Sequence, residues 1–244
     1  MISLKNFSIG YKSKILLENV STIFEGGNLT SLIGRNGSGK STLMKALSGL
    51  NQKYTGEIFI DKKNLKDYKK IALAKHLSFV NTERPKIANL TCANVVALGR
   101  MPYTDWIGRL SQNDKKFIDK ALYDVGMTDY VNRRIDTLSD GECQKIMIAR
   151  AIAQNTDIII LDEPTSFLDL PTRREIAILL RDLTMNQGKT IIFSTHELDI
   201  ALDTSDYIAL IDNGKLYNLP VSEMITQGHI ERLFSISQPK ILRR

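Results

Sequence analysis

Gly34-Arg35-Asn36-Gly37-Ser38-Gly39-Lys40-Ser41-Thr42 is the stretch that decides the fold of this 244-residue chain. An apolar run at residues 29–33 reads as a strand leading into it. Residues 40–50 follow, with Leu43, Leu47 and Leu50 on one helical face and Gly49 near the end. Strand, glycine-rich turn and helix in that order spell the phosphate-binding pattern G-x-x-x-x-G-K-[ST]. Glycines let backbone N–H groups turn toward phosphate oxygens, and the helix start adds positive potential. Lys40 brings a fixed charge to the β- and γ-phosphates, and the Ser41 hydroxyl is placed to ligate magnesium. A plain Gly/Ser turn would need neither flank.

Working outward, Ile158-Ile159-Ile160-Leu161-Asp162-Glu163-Pro164 is the second decisive run. Residues 157–161 read as a strand that is apolar from Ile158 onward, as in a sheet covered on both faces. A carboxylate at the end of such a strand reaches the mouth of the sheet, where ligands bind. Asp162 suits magnesium there, and Glu163 suits the attacking water. With the phosphate loop, the pair writes an α/β NTPase core.

The remaining spacing fills in the frame. Residues 2–9, 57–61 and 77–81 read as strands. Pro171 opens a helix with Ile176, Leu179, Leu180 and Leu183 on one face, ended by Gln187-Gly188. Residues 190–195 form the next strand, so strand, helix and strand predict a parallel pair with a right-handed crossover. Asn213-Gly214 predicts a hairpin between residues 207–211 and 215–219. Residues 89–131 carry helical spacing at Val95, Val96 and Leu98, then at Phe117, Ile118, Ala121, Leu122 and Val125. Gly99, Pro102 and Gly108 break the run. One short helix is expected in residues 220–244.

Composition narrows the class. Charged residues at 25% and apolar residues at 43% fit a globular domain, and the apolar runs are too short for a membrane helix of ~20 residues. The net charge of +6 is spread out, without a basic arm interleaved with aromatics, so no nucleic-acid partner is expected. Cys92 and Cys143 have no metal spacing and read as idle buried thiols of a reducing compartment. The first residues lack the pattern of a signal peptide. A cytoplasmic location follows, with any membrane role exercised through a partner.

Leu138-Ser139-Asp140-Gly141-Glu142 opens a helix carrying Ile146, Ala149, Ile152 and Ala153. Ser139-x-x-Glu142 is a capping box, and a well-capped helix start is also an anion site. Here the chain resembles the nucleotide-binding subunits of ATP-binding-cassette (ABC) transporters, whose signature is usually L-S-G-G-Q. Asp140 and Glu142 depart from that spelling, and two carboxylates near a triphosphate are unfavourable unless they point away. Tyr11 resembles the aromatic ring that stacks on adenine, although an edge-strand tyrosine would look the same. Ser166-Phe167-Leu168-Asp169 resembles the segment crossing between protomers. His196 resembles the histidine that contacts γ-phosphate. Where the family usually has a glutamine that touches magnesium, this chain has Thr82, so Thr82 or its neighbour Glu83 is the expected substitute.

The resemblance covers nearly the whole chain. It implies one domain over residues 1–244: a core with a mostly parallel sheet and a small antiparallel β subdomain at 1–88 and 145–219, a helical insert with the signature at 89–144, and a tail at 220–244. It implies ATP and Mg2+ as ligands, with Gly34 to Thr42 and Tyr11 on the nucleotide. Ser41, Asp162 and Thr82 would hold the metal, and Glu163, His196 and Lys40 would serve catalysis. Ser139 to Glu142 would act in trans across a homodimer. Partners implied are integral-membrane permease subunits, which would hold the chain peripherally on the cytoplasmic face, and indirectly a substrate-binding protein. Ala97-Leu98-Gly99-Arg100-Met101-Pro102-Tyr103 resembles a turn in importers of ferric siderophores, haem and vitamin B12. An exporter ATPase or a soluble cassette protein shares the chemistry. A P-loop kinase would not need Leu138–Glu142.

Overall fold

The structure, a computed structural model, describes residues 1–11, 14–81 and 89–234. The chain opens with β1 (Ile2–Tyr11) and β2 (Lys14–Phe24), paired antiparallel. β3 (Leu29–Gly34) leads into α1 (Lys40–Leu47). β4 (Tyr54–Ile60) then returns to β1, and β5 (Lys63–Asn64) borders it, closing a sheet of order β2-β1-β4-β5. α2 (Lys70–Leu73) precedes β6 (Leu77–Val80). The helical stretch comprises α3 (Cys92–Ala97), a 3₁₀ turn over Leu98–Tyr103, α4 (Gln112–Asp124) and α5 (Asp140–Ala153). β7 (Ile158–Leu161), α6 (Leu170–Gln187), β8 (Thr190–Ser194), α7 (Leu198–Thr204), β9 (Tyr207–Asp212) and β10 (Lys215–Pro220) follow. α8 (Val221–Thr226) and α9 (His229–Phe234) end the described chain. The larger sheet has the order β10-β9-β3-β8-β7-β6, parallel except at β10.

Side chains alternate across a strand, and that alternation builds two cores from one apolar run. Ile158 and Ile160 face Leu32, Ile192, Phe7, Phe24 and the α1 residues Leu43 and Leu47. Ile159 and Leu161 face Ile191, Phe193 and the helical side, with Val95, Ile118, Leu122, Ile146 and Leu180. Each such side chain contributes about 1.5–3 kcal/mol by leaving water. The helices are stopped and started locally. Thr91, Ser111 and Ser139 each cap a helix reciprocally with the third residue on, and Asp169 caps α6 through the Thr172 N–H at 3.0 Å.

Two expectations need correction, and one strand went unread. β2 was not legible, because its buried residues Leu16, Leu17, Val20 and Phe24 follow no alternation. Register shifts along β1, with Asn6 and Asn19 at φ 49° and 48°, re-aim the side chains. α1 ends at Leu47 instead of continuing to 50, since Gly49 takes φ 74° and its N–H bonds back to Ala46 O. The tail holds two short helices, α8 and α9, in place of one. The expected parallel pair is β7–β8, and Asn213 and Gly214, at φ 46° and 79°, turn the β9–β10 hairpin.

Within the helical stretch, one buried ion pair has no counterpart in the sequence reading. Arg100 Nε donates to Asp114 Oδ1 at 2.8 Å, and Arg100 Nη1 donates to Ala153 O, on the last residue of α5, at 2.7 Å. Tyr103 and Phe117 lie against the guanidinium, 4.0 and 4.3 Å from ring centre to Cζ. The backbone beneath is equally tight: a Cβ on Gly99 would sit 2.2 Å from Arg150 O.

Candidate active site

β3, β8 and β7 lie side by side and run the same way, so their C-terminal ends meet at one edge of the sheet. Gly34 ends β3, Asp162 follows β7 and Thr195 follows β8. Open parallel sheets bind ligands at that edge. A cavity of about 430 Å³ lies there, lined by Tyr11, Leu16, Asn36, Gly37, Gly39, Lys40, Ser41, Thr42 and Glu163, among others.

The loop is folded ready for an anion. Gly39 takes φ 109°, a conformation that favours glycine, and passes close to the Leu16 side chain. Lys40 is buried, and its Nζ donates to Gly34 O at 3.0 Å. Burial holds its ammonium below the ordinary lysine value, and the Glu163 and Asp162 carboxylates offset part of that. Ser38 Oγ is buried and makes no hydrogen bond among the described residues. An oxyanion brought into the loop would satisfy it.

Behind the loop runs a line of hydroxyls and carboxylates. Ser41 Oγ donates to Asp162 Oδ1 at 3.1 Å, and Ser194 Oγ donates to the same oxygen at 2.8 Å. Ser194 Oγ in turn accepts the Glu163 N–H at 2.8 Å. Glu163 sits at φ 47°, a strained setting for a side chain other than glycine. Its Oε2 accepts from Ser166 Oγ at 2.9 Å, and the His196 ring, through Nε2, donates to its Oε1 at 2.6 Å. Sequence reading missed the linking role of Ser194 and Ser166. The available signal was a fully buried hydroxyl closing an apolar strand, Thr190–Ser194.

The donor set suits a small divalent cation. Ser41 Oγ and the Asp162 carboxylate supply oxygen ligands, and among the described residues no group of three or more His, Cys, Asp or Glu side chains could enclose a metal. Mg2+ is normally held this way, by one or two protein oxygens plus phosphates and water. Thr82 lies outside the described residues.

The Ser139 turn is not among the described residues lining the cavity. Ser139 N and Ser139 Oγ both donate to Glu142 Oε2, at 2.8 and 3.0 Å, so this carboxylate folds back on its own helix start. The Ser139 N–H, and then the Tyr130 hydroxyl, hold the Glu142 carboxyl below the usual carboxylate range. Gly141 lets the first turn of α5 approach α6, where a Cβ would meet Thr172 Cγ2 at 2.8 Å.

Ser194→Ala is expected to leave the Glu163 N–H buried without an acceptor, at a cost of about 1–3 kcal/mol. Nucleotide turnover should fall in parallel as the Glu163 backbone relaxes. Urea denaturation and phosphate release would check both, and a variant equal to wild type in each would discount the link.

Comparisons agree with this architecture. Residues 17–166 match the family model described as ABC transporter. The petrobactin import ATP-binding protein YclP of Bacillus subtilis is 38% identical over 240 residues, covering 98% of this chain and 94% of YclP. A solved inward-facing transporter, assigned by its authors to the metal-chelate ABC type, superposes with a TM-score of 0.84 at 26% identity, over 98% of this chain and 93% of its own. The dimeric post-hydrolysis structure of the ATP-binding cassette MJ0796, bound to ADP and Pi, gives a TM-score of 0.78 at 29% identity, over 91% and 99%. The fold is thus shared over nearly the whole length, and the chain belongs to the ABC transporter family as an ATP-binding subunit, an ATPase that powers transport.

Proposed function

We propose that this chain powers an importer of a metal chelate, of the ferric siderophore, haem or cobalamin kind, as a homodimer beneath integral-membrane permease subunits. The similarity to YclP, a petrobactin import protein, over 98% of the chain carries the import reading. No helix among the described residues is long and apolar enough to cross a membrane, so the work must pass through a surface contact. A substrate-binding protein would deliver the cargo to the permease.

The hydrolytic roles rest on the hydrogen-bonded line behind the loop. The loop N–H groups and Lys40 would grip the phosphates of ATP, with the Tyr11 ring against adenine. Ser41 and Asp162 would hold Mg2+, which would supply positive charge against that developing on the phosphates. Glu163, held by Ser166 and His196, would orient and deprotonate the attacking water. His196 would also contact γ-phosphate. Ser139 to Glu142 of a second copy would close over the same phosphate, as two cassettes face one another. Because Glu142 folds back on Ser139, only part of its charge would face the incoming anion.

The test is co-purification of the chain from solubilised membranes, with identification of the permease and of the chelate that stimulates phosphate release. Stimulation by a chelate-loaded binding protein is the expected result. Recovery with an export permease, or transfer of phosphate to a small acceptor, would refute the reading.

A further inference from the structure

Arg173 stands just past the Asp169 cap, near the start of α6, where no acidic side chain of the first turn offsets it. A cation there opposes the helix dipole, which is positive at that end. Its fork is nonetheless held on two sides. Nε donates to Leu168 O at 2.5 Å, and Nη1 donates to Glu197 Oε1 at 2.7 Å. The two acceptors belong to different loops. Leu168 lies in the segment that joins β7 to α6, and Glu197 opens α7 directly after His196. One guanidinium therefore fastens both loops to the start of α6.

Those loops are the two that hold Glu163. Ser166, from the first, donates to Glu163 Oε2, and His196, from the second, donates to Oε1. The first loop needs an outside tie. Glu163 and Phe167 take φ 47° and 65°, and strained backbone of this kind persists only where its surroundings fix it. Within the loop, the Leu168 N–H reaches Thr165 O at 3.4 Å, beyond the usual range. The shorter bond from Arg173 to Leu168 O anchors its far end. In the second loop, Thr195 Oγ1 accepts the Glu197 N–H at 3.1 Å, and Arg173 holds the Glu197 carboxylate, so the exposed His196 is tied on both sides. The ion pair contributes little to stability, because its side chains are 32% and 21% exposed. What it fixes is position.

We propose that Arg173 is a positioning residue for hydrolysis, setting Ser166 and His196 where both oxygens of the Glu163 carboxylate are held at once. Two donors in one rigid plane are required, so a lysine, with its single ammonium, does not replace it. Phosphate binding is left alone, since neither Leu168 nor Glu197 is among the described residues lining the cavity beside the phosphate loop. This role rests on the reading that Glu163 acts on the attacking water.

Arg173→Lys in the full chain supplies the test. Its kcat for phosphate release should fall about tenfold or more, the effect of misplacing a catalytic group, with KM for ATP within about twofold of wild type. The urea midpoint should stay near that of wild type. A second readout follows the His196 ring by NMR. The chain has three histidines, so His76→Gln and His229→Gln identify its signals. In Arg173→Lys those signals should move toward the positions they take in Glu163→Ala, where the ring has lost its carboxylate partner. Ring signals at their wild-type positions, an unchanged kcat, or a loss confined to KM would each overturn the role. If Glu163→Gln turns over like wild type, the hydrolytic reading falls first and this role with it. If Glu163→Gln is inactive while Arg173→Lys is normal, only the role of Arg173 falls.

Discussion

Glu163→Gln is expected to bind ATP and hydrolyse it about a hundred- to ten-thousandfold more slowly, the range for loss of a general base. The amide is nearly the same shape as the carboxylate, so Ser166 and His196 still hold the side chain and the phosphate loop is undisturbed. What is lost is the ability to take a proton from water. Bound ATP should then persist, and with it the closed pair of cassettes. Gel filtration with ATP should show a dimer that wild type forms only briefly, and phosphate release gives the rate. A monomer with normal turnover would remove Glu163 from the mechanism and leave His196 as the group to test next.

Asp114→Ala is expected to have the largest effect on stability. The Arg100 and Asp114 side chains are 4% and 7% exposed, so the variant strands a buried guanidinium without its counter-charge. Breaking such a pair from one side costs about 3–5 kcal/mol, which lowers the unfolding midpoint by about 10 °C in a chain of this size. Replacing both partners with apolar residues, Arg100→Met with Asp114→Leu, should recover most of the loss, because paired buried charges contribute little net stability. The pH dependence has a definite sign. The Ser111 hydroxyl, and then Arg100, hold the Asp114 carboxyl below its ordinary value of 3.8. A depressed folded value means the contribution is complete at neutral pH and disappears as pH falls below about 3.8 and on through the folded value. The gap between wild type and Asp114→Ala should therefore narrow in acid. Urea titrations at neutral and acidic pH would measure it, and a pH-independent gap would assign the loss to packing alone.

Much of the site was legible because its signals are local. A phosphate loop needs glycines and a lysine at set distances along one segment, and an apolar strand ending in Asp162-Glu163 announces the edge of a buried sheet. The capping box at Ser139 and Glu142 is equally short-range, as are Asn213-Gly214 in the hairpin and Gly188 at the end of α6. β2 escaped because its buried positions answer to the bulges of β1, not to a period of their own.

By itself, then, the sequence determined the cradle for the phosphates, the parallel αβ frame around it and the family to which both belong, since each of these is written in residues a few places apart. Only the tertiary structure decided how Ser194 joins Asp162 to Glu163 and how Arg100 ties the turn at Leu98–Tyr103 to Asp114 and the end of α5. Those arrangements depend on side chains from separate strands and helices meeting at hydrogen-bond distance. Spacing along a chain does not encode either until the sheet has brought the partners together.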